Sequence, residues 1–407
     1  MKRRLGLSPC NSYYEYKLKK QYMKKGILVG IIMFLIVIGL WNTFYMEVQG
    51  EVYEGIFVNN SEFAGDFVQN TITYDIYREP VKVKGIYVPT YKLDKIDELI
   101  ELANTTEVNS FVIDVKNDSG YLVFPTDNPV LVEMGGVSSS ANSQSIPKVL
   151  DKLYANDIYP IARVVVFKDK VVGNTYPERM IQDHDGNIYH NSSGETWLNP
   201  YNKDNWDYIL EVCKEVINLG FKEIQFDYIR FHESMNSTRV DLPDENKTEI
   251  ITEFVDYMVT ELSSYGVFVS ADVFGAIITS NIDAQIVGQD YQQLITMLDS
   301  ICPMVYPSHY GAGSFGQASP DLAPYEIILG AMNASNSVVD KLQEDEQKAI
   351  VRPWLQDFTA SWVNPHQVYG KEQVRAQIEA VYDAGLEEWI LWNAVANYTE
   401  DALLKNE

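Results

Sequence analysis

The stretch WDYILEVCKEVINLGFKEIQFDYIRF (206–231) contains one complete helix–turn–strand unit. Its first half places apolar side chains at helical spacing, and Gly220 is the kind of residue that ends a helix. Its second half, residues 223–231, is short and rich in aromatic and β-branched residues, which is typical of a buried strand. The stretch therefore predicts an amphipathic helix that leads directly into a strand.

The same unit recurs along the chain from Val83 onward. Apolar residues repeat at helical spacing near 93–103, 251–262 and 374–382, and more weakly near 335–348. Between these helices the sequence predicts eight short strands, at residues 83–89, 110–116, 159–167, 223–231, 267–274, 300–307, 350–357 and 388–394.

Eight alternating units predict an α/β fold closed into a (β/α)8 TIM barrel. Connections from helix to strand are short, whereas about 27 residues follow the second strand and about 36 follow the third. Long loops that all follow strands gather on one face, where barrel enzymes place their sites. An open doubly wound sheet is the alternative, but no Gly-x-Gly-x-x-Gly turn follows the first strand, and no cofactor is predicted.

Charge is distributed unevenly. Residues 1–50 carry eight Lys or Arg against two Glu, and the whole chain has a net charge of −25, so residues 51–407 carry −31. A surface this acidic repels phosphate backbones, so no nucleic-acid partner is expected. The three cysteines are far apart and form no disulfide or zinc pattern.

The N-terminal segment predicts the compartment. The largely apolar run 26–46 has about the length that spans a bilayer. By the positive-inside rule, the basic residues 1–25 would then be cytoplasmic and the chain a single-pass cell-membrane protein. A cleaved signal peptide, giving a secreted protein, is the alternative. In both cases residues 47–81 are a predicted stalk or linker, and the barrel, 82–407, is extracytoplasmic.

Four predicted strands contain a carboxylate: Asp114, Asp227, Asp272 and Asp357. A buried acid needs a partner or a chemical role, because unpaired burial of charge costs several kcal/mol. Each could pair with a nearby cation, such as Lys116 or Arg230. Adjacent strands are about 5 Å apart, however, so Asp227 and Asp272 could act on one substrate bond. Coupled like charges raise one pKa, which leaves one acid protonated and one ionised.

Aromatic residues cluster at the same strand ends and in the loops that follow. Sugar rings stack on such side chains, although barrel packing explains some of them, Tyr87 and Trp354 above all. In the third loop we predict a hairpin at Asp185-Gly186 that walls the cleft and presents Trp197. The histidines lack metal-binding spacing, so no metal site is predicted, and only His309 is expected to contact substrate.

Five motifs resemble one known family: DVKNDSGYLVFPTD (114–127), GFKEIQFDYIRF (220–231), SADVFG (270–275), CPMVYPSHY (302–310) and PWLQDF (353–358). They are similar to the glycoside hydrolase-like domain of bacterial envelope proteins, domain of unknown function 4015. The resemblance spans about residues 82–400 and implies a barrel related to the α-amylase type.

The resemblance implies that Asp227 is the nucleophile and Asp272 the proton donor. Amylase-type barrels have Glu on strand five and Arg two residues before the nucleophile, where this chain has Asp272 and Gln225. Arg230 either replaces that cation or is structural. In addition, His232 stands where the family commonly has Pro.

These observations favour an extracytoplasmic glycoside hydrolase that acts on a cell-envelope or environmental polysaccharide. The alternative is a non-catalytic glycan-binding barrel that tethers wall polysaccharide. A metal-dependent deacetylase or phosphodiesterase is disfavoured by the scattered histidines. With Asp227 and Asp272 as the catalytic pair, the predicted substrate contacts are Asp114, Lys116, Trp197, Tyr228, Arg230, Tyr306, His309, Trp354, Gln356, Asp357 and Trp392.

Overall fold

The described part of the chain is one closed parallel barrel. A computed structural model describes residues 81–138, 145–243, 246–344 and 346–405. These all belong to a compact unit that spans Ile76–Glu407. Neighbouring strands pair in parallel around the barrel, and the last pairing closes the ring. The predicted TIM barrel is confirmed.

The strands begin close to the predicted positions, and several end earlier. They are β1 (Lys84–Val88), β2 (Ser110–Lys116), β3 (Tyr159–Val165), β4 (Glu223–Asp227), β5 (Phe268–Phe274), β6 (Ser300–Met304), β7 (Ile350–Val351), β8 (Trp354–Gln356) and β9 (Trp389–Trp392). Around the ring they pair in the order β5-β4-β3-β2-β1-β9-β8-β6, and a β5–β6 pairing closes it.

Two strands differ from prediction in a way that matters for the site. The predicted seventh strand is divided into β7 and β8 at Arg352 and Pro353, because proline has no N–H to contribute to the ladder. Strand β4 ends at Asp227 rather than at residue 231, because Tyr228 adopts a left-handed conformation with φ 53°. Asp227 is therefore the last residue of its strand.

Helices surround the barrel and bury the faces that their apolar spacing predicts. They are α1 (Ile96–Thr105), α2 (Pro129–Glu133), α3 (Ser145–Ala155), α4 (Asp204–Leu219), α5 (Lys247–Leu262), α6 (Asn281–Val287), α7 (Tyr291–Ile295), α8 (Pro324–Val339) and α9 (Lys371–Asp383). Helix α4 ends at Gly220, whose φ is 111°, as the sequence predicts.

Helix α8 corrects the prediction of a helix near 335–348. It begins eleven residues earlier, with Pro324 at its first turn, where a missing N–H costs nothing. Its buried face includes Ile327, Ile328, Ala331 and Met332. The polar residues after Val339 lie beyond the helix.

The barrel interior changes from a sealed end to an open end. At the N-terminal end of the strands, the buried Arg352 guanidinium donates to Glu223 at 2.6 Å and to Glu388 at 2.7 Å. Above this network lies an apolar layer that includes Tyr87 and Trp354, so both residues belong partly to the core, as expected. Polar side chains and the long loops follow at the C-terminal end.

Within the described residues, none of the helices has both the length and the apolar composition to cross a membrane. The predicted membrane or signal segment, 26–46, and the predicted stalk, 47–81, lie outside the described residues except for Val81. Both remain predictions.

Candidate active site

Two carboxylates lie side by side at the open end of the barrel. Strands β4 and β5 pair in parallel with Phe226 opposite Ala271. One step further along this register, Asp227 is opposite Asp272, and side chains at opposite positions point to the same side of a sheet. Both acids line the same cleft. The structure thus brings together the pair that the sequence predicts.

Asp227 is held at both oxygens. Its Oδ2 accepts from Arg163 Nε at 2.9 Å and Nη2 at 2.6 Å, and its Oδ1 accepts from the Tyr228 backbone N–H at 2.6 Å. This two-donor contact with a guanidinium fixes the orientation of the carboxylate. The left-handed backbone of Tyr228 turns its N–H back onto the acid.

Asp272 is in the opposite electrostatic situation. It is 1% exposed, and its Oδ1 accepts from Trp354 Nε1 at 2.6 Å and from Gln225 Nε2 at 2.5 Å. Burial raises the pKa of Asp272 well above its ordinary value, and the negative charge of Asp227 raises this pKa further. The pair therefore consists of an acid whose surroundings favour the protonated form and a carboxylate that is ion-paired with Arg163.

Arg163 is a functional residue that sequence reasoning missed. Its guanidinium contacts three carboxylates: Asp227, Asp114 at 2.6 Å and Asp118 at 2.9 Å. Arg163 pairs in register with Gln225 on the neighbouring strand. The cation beside Asp227 thus comes from the third strand, β3, and not from the fourth. An arginine within the apolar run YPIARVVVF (159–167) is the signal that could have identified it.

Arg230 does not replace that cation. Its guanidinium lies over the Phe274 ring at 4.1 Å, donates to the Phe231 carbonyl at 3.2 Å and is 3.5 Å from Glu233. Its described ion pair is thus with a loop glutamate and not with a strand aspartate. Of the two alternatives for Arg230, these contacts favour the structural one, and the residue also lines the cleft.

The cleft has a volume of about 880 Å³, within the usual range of ligand sites. Of the predicted substrate contacts, six line it: Tyr228, Arg230, Tyr306, His309, Trp354 and Trp392. Burial lowers the pKa of His309, which favours the neutral imidazole at neutral pH. The loop residues Asp118 and Glu233 also line the cleft, and they lie outside the strands in which the sequence marks its candidate acids.

Two predicted contacts lie beneath the cleft instead. Lys116 is 0% exposed and pairs with Asp169 at 2.8 Å, so its role is structural. Asp114 accepts from Tyr87 Oη at 2.6 Å on one oxygen and from Arg163 on the other. Asp114 therefore positions Arg163 and does not reach substrate.

Gln356 and Asp357 are also structural. The buried Gln356 donates to the Phe358 carbonyl at 3.0 Å and accepts from the Ser308 N–H at 3.1 Å. Asp357 accepts from the Thr399 N–H at 2.8 Å and from its hydroxyl at 2.7 Å. Neither residue lines the cleft, and both tie the loops of the open end together.

The third loop forms the predicted turn but does not present Trp197. A bridge between Gln182 and Ile188 frames the Asp-Gly turn. Trp197 is 1% exposed, with its ring 5.5 Å from that of Tyr228 and the Arg230 guanidinium 5.3 Å away. The expectation that Trp197 stacks on sugar is wrong, because cleft-lining side chains cover it.

Within the described residues, no group of three or more His, Cys, Asp or Glu side chains is arranged to hold a metal ion.

The fold and the cleft define a carbohydrate-active (β/α)8 barrel. Residues 85–398 match the family described as "DUF4015: Putative glycosyl hydrolase domain", and the chain belongs to this family. This membership supports the predicted glycoside hydrolase class. Among proteins with curated descriptions, none matches the sequence.

Two solved structures, with TM-scores of 0.58 and 0.50, share the fold. The PgaB (BpsB) glycoside hydrolase domain from Bordetella bronchiseptica is 13% identical, with a TM-score of 0.58, and the match covers 81% of this chain and 100% of that one. An inactive mutant of an exo β-N-acetylglucosaminidase from Vibrio harveyi is 12% identical, with a TM-score of 0.50 and coverage of 79% and 54%. A hypothetical protein from Ruminiclostridium thermocellum ATCC 27405 is 37% identical, with a TM-score of 0.42 and coverage of 46% and 97%.

Proposed function

We propose that this protein is an extracytoplasmic glycoside hydrolase that cleaves a cell-envelope or environmental polysaccharide with Asp227 and Asp272. The observation that carries the proposal is the contrast between the two acids. Asp272 is buried with a raised pKa, and Asp227, opposite it, is ion-paired with Arg163. Glycoside hydrolysis requires this division between a proton donor and an ionised carboxylate.

Each acid has a defined step in this proposal. Asp227 attacks the anomeric carbon and forms a glycosyl–enzyme bond, while the glycosidic C–O bond breaks and Asp272 gives its proton to the departing oxygen. Water then attacks the anomeric carbon, releases Asp227 and returns a proton to Asp272. The two donors on Asp272 Oδ1, from Trp354 and Gln225, leave Oδ2 as the oxygen that carries the proton.

The extracytoplasmic location rests on the N-terminal sequence. A basic segment precedes the apolar run 26–46, and an acidic chain follows it. This order supports either a single-pass anchor with the barrel outside or a cleaved signal peptide. The membrane contact is proposed for this segment alone.

The proposal is tested by cleavage assays with the full-length protein. Chitin, cellulose, bacterial cell wall and aryl glycosides form the substrate panel, and reducing ends or released phenol are measured. Asp227→Asn should reduce kcat by at least ~10³-fold with little change in KM, because its charge acts mainly in the transition state. Asp151→Asn, on the exposed face of α3, is the matched control and should retain wild-type turnover.

Two results would contradict the proposal. If Asp227→Asn and Asp272→Asn both keep wild-type turnover on a cleaved glycan, the pair is not catalytic. If the wild type binds a glycan of the panel but cleaves none, the non-catalytic glycan-binding barrel replaces the hydrolase.

A further inference from the structure

The two sides of the cleft differ in chemistry. Arg163 on β3 and the loops after β2 and β4 provide polar groups, including Asp118 and Glu233. Loops after β6, β8 and β9 provide aromatic and apolar side chains. In the closed strand order these two sets of strands lie on different arcs of the ring. The cleft therefore has a charged wall and an aromatic wall.

Three rings of the aromatic wall form a continuous series from the floor to the rim. The Tyr306 ring meets the Phe358 ring edge-on, with 5.9 Å between the ring centroids. Phe358 in turn stacks against Trp362, with 6.0 Å between the centroids and 16° between the ring planes. Tyr306 is buried, whereas Trp362 is 69% exposed. The series thus ends in an indole face that is open to solvent beyond the acid pair.

Trp362 is not an isolated surface residue. Val395 lines the same cleft and is 57% exposed, and it follows Ala394, whose carbonyl accepts from the Tyr91 hydroxyl at 2.6 Å. Tyr91 is also exposed. Exposed apolar side chains at the rim of a cleft are typical of a ligand surface and are unfavourable in water without a ligand.

The loop that carries Trp362 is held in place. The Tyr369 N–H donates to Thr359 Oγ1 at 3.0 Å, and the Gln367 N–H donates to Asp321 Oδ2 at 3.0 Å. Asp321 is buried in the neighbouring loop before α8. A rim side chain on a pinned loop binds ligand at a smaller entropic cost than one on a free loop.

We propose that Trp362 forms a distal sugar-binding subsite, so that the preferred substrate is a glycan chain that occupies both this subsite and the acid pair. This inference rests on the proposed function and specifies its substrate as an oligosaccharide or polysaccharide rather than a single glycoside. The C–H face of a remote sugar lies on the indole, while the scissile bond lies at Asp227 and Asp272. Binding at the remote sugar then holds the chain in register with the acids.

The test compares chain lengths. Oligosaccharides of two to six sugars, prepared from whichever polysaccharide of the panel the wild type cleaves, are assayed with wild type, Trp362→Ala and Trp362→Phe. For Trp362→Ala, the ratio of kcat/KM on the longest chain to that on the shortest should fall by about 5- to 150-fold, a range taken from the stacking of nucleobases on aromatic side chains. Trp362→Phe should restore most of the ratio, because it keeps a ring.

Tyr154→Ala is the control, since Tyr154 is an exposed aromatic residue on α3, away from the cleft. It should leave the ratio unchanged. If Trp362→Ala also leaves the ratio unchanged, the subsite is absent and the proposed hydrolase stands.

A second measurement is independent of turnover. Wild type and Trp362→Ala are sedimented with insoluble chitin, cellulose and bacterial cell wall. If no glycan is cleaved but sedimentation of the wild type depends on Trp362, the subsite stands and the hydrolase proposal fails. If the wild type binds at least one of the three polysaccharides and Trp362→Ala binds it equally well, the inference is overturned.

Discussion

The raised pKa of Asp272 predicts that this residue stabilises the fold less as pH rises. Asp272→Asn replaces one carboxyl oxygen with an amide nitrogen and keeps Oδ1, which accepts from Trp354 and Gln225. The variant therefore resembles the protonated acid but cannot ionise. Any difference in pH dependence between the two proteins reports the titration of Asp272.

The sign follows from the direction of the shift. Burial, and then the charge of Asp227, raises the pKa of Asp272, so the folded protein retains this proton to a higher pH than the unfolded chain does. The favourable contribution is complete below the unfolded pKa, about 3.9, and is lost as pH rises toward the folded pKa. The full slope is about 1.4 kcal/mol per pH unit. Between pH 4.5 and 6.5 the wild type should thus lose stability relative to Asp272→Asn as pH rises, by at most this slope.

The assay is urea unfolding of both full-length proteins across this pH range, with the difference in free energy of unfolding plotted against pH. Other groups titrate in both proteins and largely cancel. A difference that stays flat, or that increasingly favours the wild type as pH rises, would mean that Asp272 is ionised in the folded protein. The division of roles between the acids would then be refuted.

Three further predictions concern the support of the site and its location. Arg163→Lys should lower the free energy of unfolding by about 3 kcal/mol and reduce turnover, because lysine cannot make the contacts with three carboxylates. The control Arg239→Lys, at an exposed loop position, should cost less than about 1 kcal/mol, and equal effects of the two changes would contradict the role of Arg163. Trp197→Ala should destabilise the barrel by about 3–5 kcal/mol, because this ring is buried, and weaker glycan binding at unchanged stability would contradict its burial. Protease added outside intact cells should remove the barrel while residues 26–46 stay in the salt-washed membrane fraction, and a soluble protein that begins near Glu51 would identify a signal peptide instead.

The fold could be predicted because eight short apolar strands alternate with helical segments and because the long loops follow strands. Asp227 and Asp272 could be found for a related reason: an acid in an apolar strand is visible in the sequence. Arg163 is likewise a charged residue within an apolar strand and is equally visible in the sequence. Its identity as the partner of Asp227 depends on the register between β3 and β4.

Other parts of the site depend on how loops fold, which no local pattern encodes. Trp197 follows a recognisable turn, yet its burial results from packing against Tyr228 and Arg230. The early end of β4 depends on a left-handed tyrosine, and this residue type rarely signals that conformation. Gln356 and Asp357 lie in the motif PWLQDF (353–358), but their hydrogen bonds hold neighbouring loops together.

We propose that Asp272 donates the proton to the leaving group while Asp227 attacks. The loss of kcat/KM in Asp272→Asn, compared between a poor and a good leaving group, tests these two roles. On a natural glycan, whose oxygen must be protonated to depart, this variant should lose about 10²–10⁴-fold in kcat/KM. On a nitrophenyl glycoside of the same sugar, whose oxygen departs without a proton, the loss should be much smaller. Equal losses on the two substrates would contradict the assignment of Asp272 as the acid.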